Sequence, residues 1–311
     1  MNGLELSRAY FKQSVRPRLE AEFADIFDRL AAGLVGNGSE CFGFDDEWSR
    51  DHDWGVDYFI WVPEDLRDRI PELSRFRLRV FESDPPLFSR TRSEYGARIG
   101  VMTVGDFYRS LIGFPRGPEQ LMDWRRVPEE NFAMVVNGSV FMDNAGEFTA
   151  VRERLLRFMP EDLRLKKLAA KCMALAQTGQ YNHMRMARRE DWVAVRSCLS
   201  RFSDTAVAAV FLLNKIYRPY YKWAFRMMTR LPILGEDVAP HLTALARSGL
   251  AGEEDLRAQR EHISAVCELI IAELRRQGLA FSDDWFMTTQ GEEIQARITD
   301  PALRSLPTQY E

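Results

Sequence analysis

The chain has 311 residues, of which 46% are hydrophobic and 28% charged, which is length and apolar content for one large or two ordinary domains. A formal net charge of −4 and a pI near 5.8 exclude a general electrostatic pull toward nucleic acid, though not a local basic groove. The four cysteines (Cys41, Cys172, Cys198, Cys267) and four histidines (His52, His183, His241, His262) lie far apart, with no CxxC and no HExxH, so no clustered zinc pattern is present. No 18-residue apolar run and no apolar leader core occur, and the expectation is a cytoplasmic protein without a membrane partner.

Residues 5–34 read as helix, broken near Pro17, with apolar positions at helical spacing from Phe23 to Leu34. The run VGNGSECFGFDDEWSRDHDWG is too rich in Gly, Asp and Ser for a packed helix and reads as a loop opening into a strand. That strand, about 52–62, is aromatic and β-branched and stops at Pro63. A short helix follows, with Pro at its start. RFRLRVFE (75–82) alternates and reads as a strand, and ARIGVMTV (97–104) as another. From about 105 the pattern turns helical, with SVFMD (139–143) as a last strand. Beyond about 147 nearly everything is helix: 148–158, 161–178, 182–199, 202–217, 220–230, 237–249 and 253–277. The expected organisation is therefore α+β in residues 1–150 and a helical bundle in 151–311.

The chemistry-bearing pattern is Gly38-Ser39, eleven intervening residues, then Asp51-His52-Asp53. On a strand, residues i and i+2 face the same side, so Asp51 and Asp53 point together and His52 away. Two carboxylates so placed can ligate Mg²⁺, or Mn²⁺, and bridge a metal pair. A glycine upstream lets backbone amides approach a phosphate, and Ser39 adds a hydroxyl donor. Asp45, Asp46 and Glu47 form either a lip beside such a site or a solvated turn, and Ser49 and Arg50 are placed to steady it.

The run LVGNGSECFGFDDEWSRDHDWGVD resembles the signature of the polymerase-β-like nucleotidyltransferase superfamily. It is similar in particular to an uncharacterised bacterial family, a domain of unknown function with a nucleotidyltransferase-like fold. NGSVFMDNAGEF and FLLNKIYRPYYKW resemble the same family, whose relatives include aminoglycoside nucleotidyltransferases. The resemblance implies a mixed sheet of four or five strands with flanking helices, followed by a C-terminal helical domain. It also implies transfer of a nucleoside monophosphate from a nucleoside triphosphate, ATP first, to a hydroxyl acceptor. One departure stands: ARIGVMTV lacks the third acid such transferases carry, with Gly100 where it is expected. Asp57, Glu82, Asp84 and Asp106 are the substitutes, and the sequence does not choose among them. A catalytically inactive nucleotide-binding or partner-binding module on the same scaffold is the alternative.

In the helical half, LNKIYRPYYKWAFR interleaves aromatic and basic residues. Tyr221 and Lys222 are the candidates to reach a nucleotide, by stacking and by charge; packing of the helix is the competing reading. Arg185, Arg188 and Arg189 share one helix face, which binds an anion or is simply solvated. Ile263, Val266, Ile270 and Leu274 form an apolar stripe for a core or an oligomer seam. The second Asn-Gly-Ser, 137–139, lacks paired acids and reads as a turn into an edge strand.

Overall fold

The computed structural model describes residues 2–50, 54–88, 99–250 and 252–311. The chain forms two compact units, Met1–Arg157 and Phe158–Glu311. The first is mixed α/β, and every regular element of the second is helical.

The first unit is organised on four strands: β1 (Ala31–Leu34), β2 (Phe59–Val62), β3 (Val101–Thr103) and β4 (Ser139–Asp143), in the order β3-β2-β1-β4. β1 is antiparallel to both β2 and β4, whereas β2 and β3 are parallel. Every residue of β1 and β2 is buried, as expected of strands covered on both faces. Tyr58, Ile60 and Val62 meet a layer from α1 (Gly3–Tyr10), the π-helical turn Phe11–Val15, α2 (Arg16–Glu22) and α3 (Ile70–Ser83), including Phe11, Leu19, Phe76 and Val80. On the opposite face, Phe59 and Trp61 meet Phe107 of α4 (Val104–Ile112). There the Trp61 ring also stacks on Phe148 of α7 (Glu147–Leu156), with centroids 3.9 Å apart. Two short helices, α5 (Leu121–Arg126) and α6 (Glu129–Val136), lead into β4.

Two expected elements are corrected. Residues 75–82 are not a strand but lie within α3. Their buried positions, Leu73, Phe76 and Val80, repeat at helical spacing, Leu78 is 48% exposed, and Pro71 sits in the first turn. The end of the expected N-terminal helix, 31–34, is instead strand β1: α2 stops at Glu22, and Phe23, Ile26, Phe27 and Leu30 are buried in the non-α segment that follows. Gly33 permits this strand. A Cβ there would stand 2.5 Å from the Ser139 carbonyl oxygen, where the β1–β4 register slips between Ala32 and Gly33.

The second unit comprises α8 (Glu161–Leu175), α9 (His183–Ala187), α10 (Trp192–Asn214), α11 (Tyr221–Met228), α12 (Gly235–Arg247), α13 (Glu253–Arg276), α14 (Met287–Ala296) and α15 (Pro301–Ser305). The break expected near 200 falls earlier: Glu190 has φ +57°, the Asp191 carboxylate caps the Ala194 amide, and one 23-residue helix then runs to Asn214. Between α8 and α9 the chain widens into a π-helical segment, Ala176–Asn182. Gly179 lies in it, and a Cβ there would meet the Phe202 ring at 2.5 Å. Ile263, Val266, Ile270 and Leu274 are all buried in this unit's core. So is Lys166, whose ammonium donates to Pro307 O (2.8 Å), Gln295 Oε1 (2.9 Å) and Leu306 O (3.4 Å).

Candidate functional site

β1 ends at Leu34 and leads into the loop that carries Gly38 and Ser39. Gly38 has φ +124°, and the Glu40 carboxylate folds so close that a Cβ on Gly38 would lie 2.6 Å from its Oε2. Only glycine suits this position, by dihedral and by space. Ser39 opens the 3₁₀ turn Glu40–Phe42, its carbonyl accepting from the Phe42 (3.1 Å) and Phe44 (2.9 Å) amides. Among the described residues, the amides of Gly38 and Ser39 and the Ser39 hydroxyl have no hydrogen-bond partner. Unspent donors on a glycine turn are the means by which backbone holds an anion.

A clamp from β4's approach holds this loop. Asn137 donates its side-chain amide to Gly36 O and accepts from Gly36 N–H, both at 2.8 Å. The Gly138 amide donates to Cys41 O at 2.8 Å, and Arg152 donates to Asn137 O at 2.7 Å. Burial pulls the Arg152 guanidinium below its ordinary range. Arg8 donates to Ser139 Oγ, and Ser139 pairs with Leu34 at the end of β1, so a cation stands near the root of the loop. On its far side, one Asp45 oxygen accepts from Gly3 N–H (2.7 Å) and from the Trp54 indole (3.0 Å). Asp46 closes a turn on Ser49 (3.1 Å), and the Arg50 guanidinium lies over the Trp54 ring at 4.8 Å. Asp45 and Asp46 thus work within the loop, while Glu47 is exposed. Trp48 on the same turn is 81% exposed, a large open ring the sequence reading passed over.

Asp51 and Asp53, the expected metal ligands, lie outside the described residues, as does His52. Among the described residues, no group of three or more His, Cys, Asp or Glu side chains is placed to hold a metal ion. The four candidates for a third acid are now distinguishable. Asp57 is ion-paired to Arg77, both largely buried, and accepts from its neighbour's amide at 2.8 Å. Asp106 sits between Arg67 and Arg109, each at 2.6 Å, and the Arg67 bond holds its carboxyl below the usual carboxylate range. Asp84 is 3.7 Å from Arg18, and Glu82 is exposed. Asp143, the one acid of β4, lies opposite Ala31 at the far end of β1 and accepts from the Thr149 amide of α7.

Tyr221 and Lys222 belong to the other compact unit. Tyr221, 71% exposed, lines a groove of about 350 Å³ with Ser203, Arg218, Phe225, Leu242 and Arg247. Arg218 there is ion-paired to Asp204. Lys222 is not part of that lining; its ammonium lies 5.0 Å from the Trp223 ring centre. Consecutive residues on a helix diverge by about 100°, which separates the two candidates. Of the arginine face, Arg185 lies over Tyr181 at 4.5 Å, and Arg188 and Arg189 are exposed.

Residues 124–224 match the family described as a domain of unknown function (DUF4037). That is about a third of the chain, from α5 to the start of α11. It takes in Asn137, Arg152, Tyr221 and Lys222 and begins beyond the Gly38–Asp53 stretch. No curated protein and no solved structure matches the chain. Among the described residues, no helix is long and apolar enough to cross a membrane.

Proposed function

We propose that the chain is a Mg²⁺- or Mn²⁺-dependent nucleotidyltransferase, its first unit a nucleotidyltransferase-type sheet domain, using ATP or another nucleoside triphosphate and a hydroxyl acceptor. One arrangement carries the reading. β1 exits into the Gly38-Ser39 turn, and antiparallel β2 is entered at that same end of the sheet, because Gly33 pairs with Phe59. The segment that follows Asp51 and Asp53 therefore returns to the end of the sheet where unspent backbone donors stand. On the phosphate side the residues fit: Gly38 and Ser39 offer two amides and a hydroxyl to phosphate oxygens, and Arg8 supplies a nearby charge. Asp51 and Asp53 would hold the metal through hard carboxylate oxygens. The bound metal would neutralise charge developing on the transferred phosphoryl group. The acceptor oxygen bonds to the α phosphorus and gives up its hydroxyl proton to solvent, the bond between the α phosphorus and the α–β bridging oxygen breaks, and pyrophosphate leaves.

The experiment is calorimetric titration of each magnesium nucleoside triphosphate into wild type and Asp53→Asn, with pyrophosphate release followed in parallel. Binding that requires Asp53, together with release that depends on an acceptor, is the expected result. Transfer retained by Asp53→Asn overturns the assignment.

A second reading has its own observation. Asp57 and Asp106 are both committed to arginines, and the Glu40 carboxylate lies against the phosphate-facing glycine. These features favour a module that binds nucleotide or a partner without turnover, for which nucleotide binds and no pyrophosphate appears.

A further inference from the structure

α12 and α13 pack against each other and bring His241 and His262 together, with their Nδ1 atoms 3.0 Å apart. The ring centroids are 5.3 Å apart and the planes 62° from parallel. Two neutral imidazoles meeting through the same atom type share one proton between two bases. One ring must carry its hydrogen on Nδ1 and the other must not. Among the described residues, neither ring makes another hydrogen bond, and both side chains are only partly buried. Two imidazole nitrogens thus face each other across one shared proton, on side chains that are only partly buried.

We propose that His241 and His262 are a two-histidine site for a late divalent transition metal, copper(II) or nickel(II). The separation admits a cis pair of ligands. With metal–nitrogen bonds of about 2.05 Å, nitrogens 3.0 Å apart subtend about 94° at the metal. A tetrahedral zinc angle would require about 3.3 Å. The observed spacing therefore matches the cis angle of a square-planar or octahedral ion, and imidazole is a preferred ligand for both copper and nickel. No third side chain among the described residues joins the pair, so water completes the coordination. The shared proton moves to the Nε2 of its own ring as the metal takes both Nδ1 positions, so neutral imidazoles bind without net proton release. The site is independent of the nucleotidyltransferase reading, since it uses nitrogen ligands in the other compact unit.

The test uses full-length, chelator-stripped protein with any polyhistidine tag removed. Copper(II) is titrated calorimetrically and the one-equivalent sample is examined by electron paramagnetic resonance. The expected results are one strong equivalent, nitrogen hyperfine structure from two imidazoles, and affinity at least roughly tenfold weaker in His241→Ala and in His262→Ala. His52→Asn should bind as wild type does, and excess Mg²⁺ should not compete. Wild-type affinity in both alanine variants, or a spectrum with fewer than two nitrogens, overturns the proposal. Circular dichroism of each variant verifies its fold. Should an alanine variant unfold, His262→Gln takes its place, and the wild-type spectrum decides independently of any variant.

Discussion

Asn137 satisfies both backbone groups of buried Gly36, from a position 101 residues later in the chain. Asn137→Ala leaves a buried amide and a buried carbonyl without partners, each costing about 1–3 kcal/mol. We expect a loss of about 2–4 kcal/mol in urea unfolding, and a matching fall in any affinity that depends on the Gly38-Ser39 turn. A loss below about 0.5 kcal/mol would mean the loop is held by other contacts. In sequence, Asn37-Gly38-Ser39 and Asn137-Gly138-Ser139 look alike, and only the first sits near paired acids. The second reads correctly as the entry to a strand, but its role as a clamp does not show, because a hydrogen bond across a hundred residues leaves no local periodicity. The same limit applies to Asp57. Its spacing places it among the acids of the motif strand, whereas its partner Arg77 comes from α3, a segment whose pattern suggests a strand.

α3 shows how far pattern reaches at the scale of an element. Arg-Phe-Arg-Leu-Arg-Val-Phe alternates as a half-buried strand does, yet a helix also satisfies it once Leu73, Phe76 and Val80 supply the buried face. The two conformations make opposite demands on Leu78. In a strand it would share a face with Phe76; in α3 it is 48% exposed while Phe76 is fully buried. We expect Phe76→Ala to cost about 3–5 kcal/mol and Leu78→Lys less than about 0.5 kcal/mol, measured by chemical denaturation. Comparable losses for both would contradict the helix. β4 was legible and β2 in part, because Phe-Ile-Trp-Val and Ser-Val-Phe-Met-Asp carry strong β composition between breakers, but the strand expected over about 52–62 begins only at Phe59, and residues 54–58 before it are irregular apart from a bridge at Val56. β1, Ala-Ala-Gly-Leu, was not: two alanines and a glycine carry no strand preference, and what makes them a strand is the close approach of β2 and β4 on either side.

At the scale of the whole molecule, acid should act first on the helical unit. His183 is fully buried, and its Nε2 lies 2.7 Å from Gln259 Oε1, an acceptor, so the ring's proton is on Nε2. Nδ1 is buried without a partner among the described residues, and burial holds the ring below its ordinary pKa. The unfolded chain binds a proton near pH 6.5, where the folded chain does not. The stability this neutral ring contributes is complete above that value and is lost as pH falls toward the folded pKa, at up to about 1.4 kcal/mol per pH unit. Urea midpoints at pH 7.5 and 5.5 measure the loss, and His183→Asn should flatten it; an unchanged slope would place the acid sensitivity elsewhere. Lys166 extends the same unit's behaviour into chemical reactivity. Five of the six lysines have at least partly accessible side chains, while Lys166 is sealed beneath the chain at Leu306 and Pro307. An acylating reagent can therefore reach that amine only after the C-terminal segment lifts. The time course of its modification, read peptide by peptide in a mass spectrometer, becomes a clock for that opening, with the other five lysines as its reference.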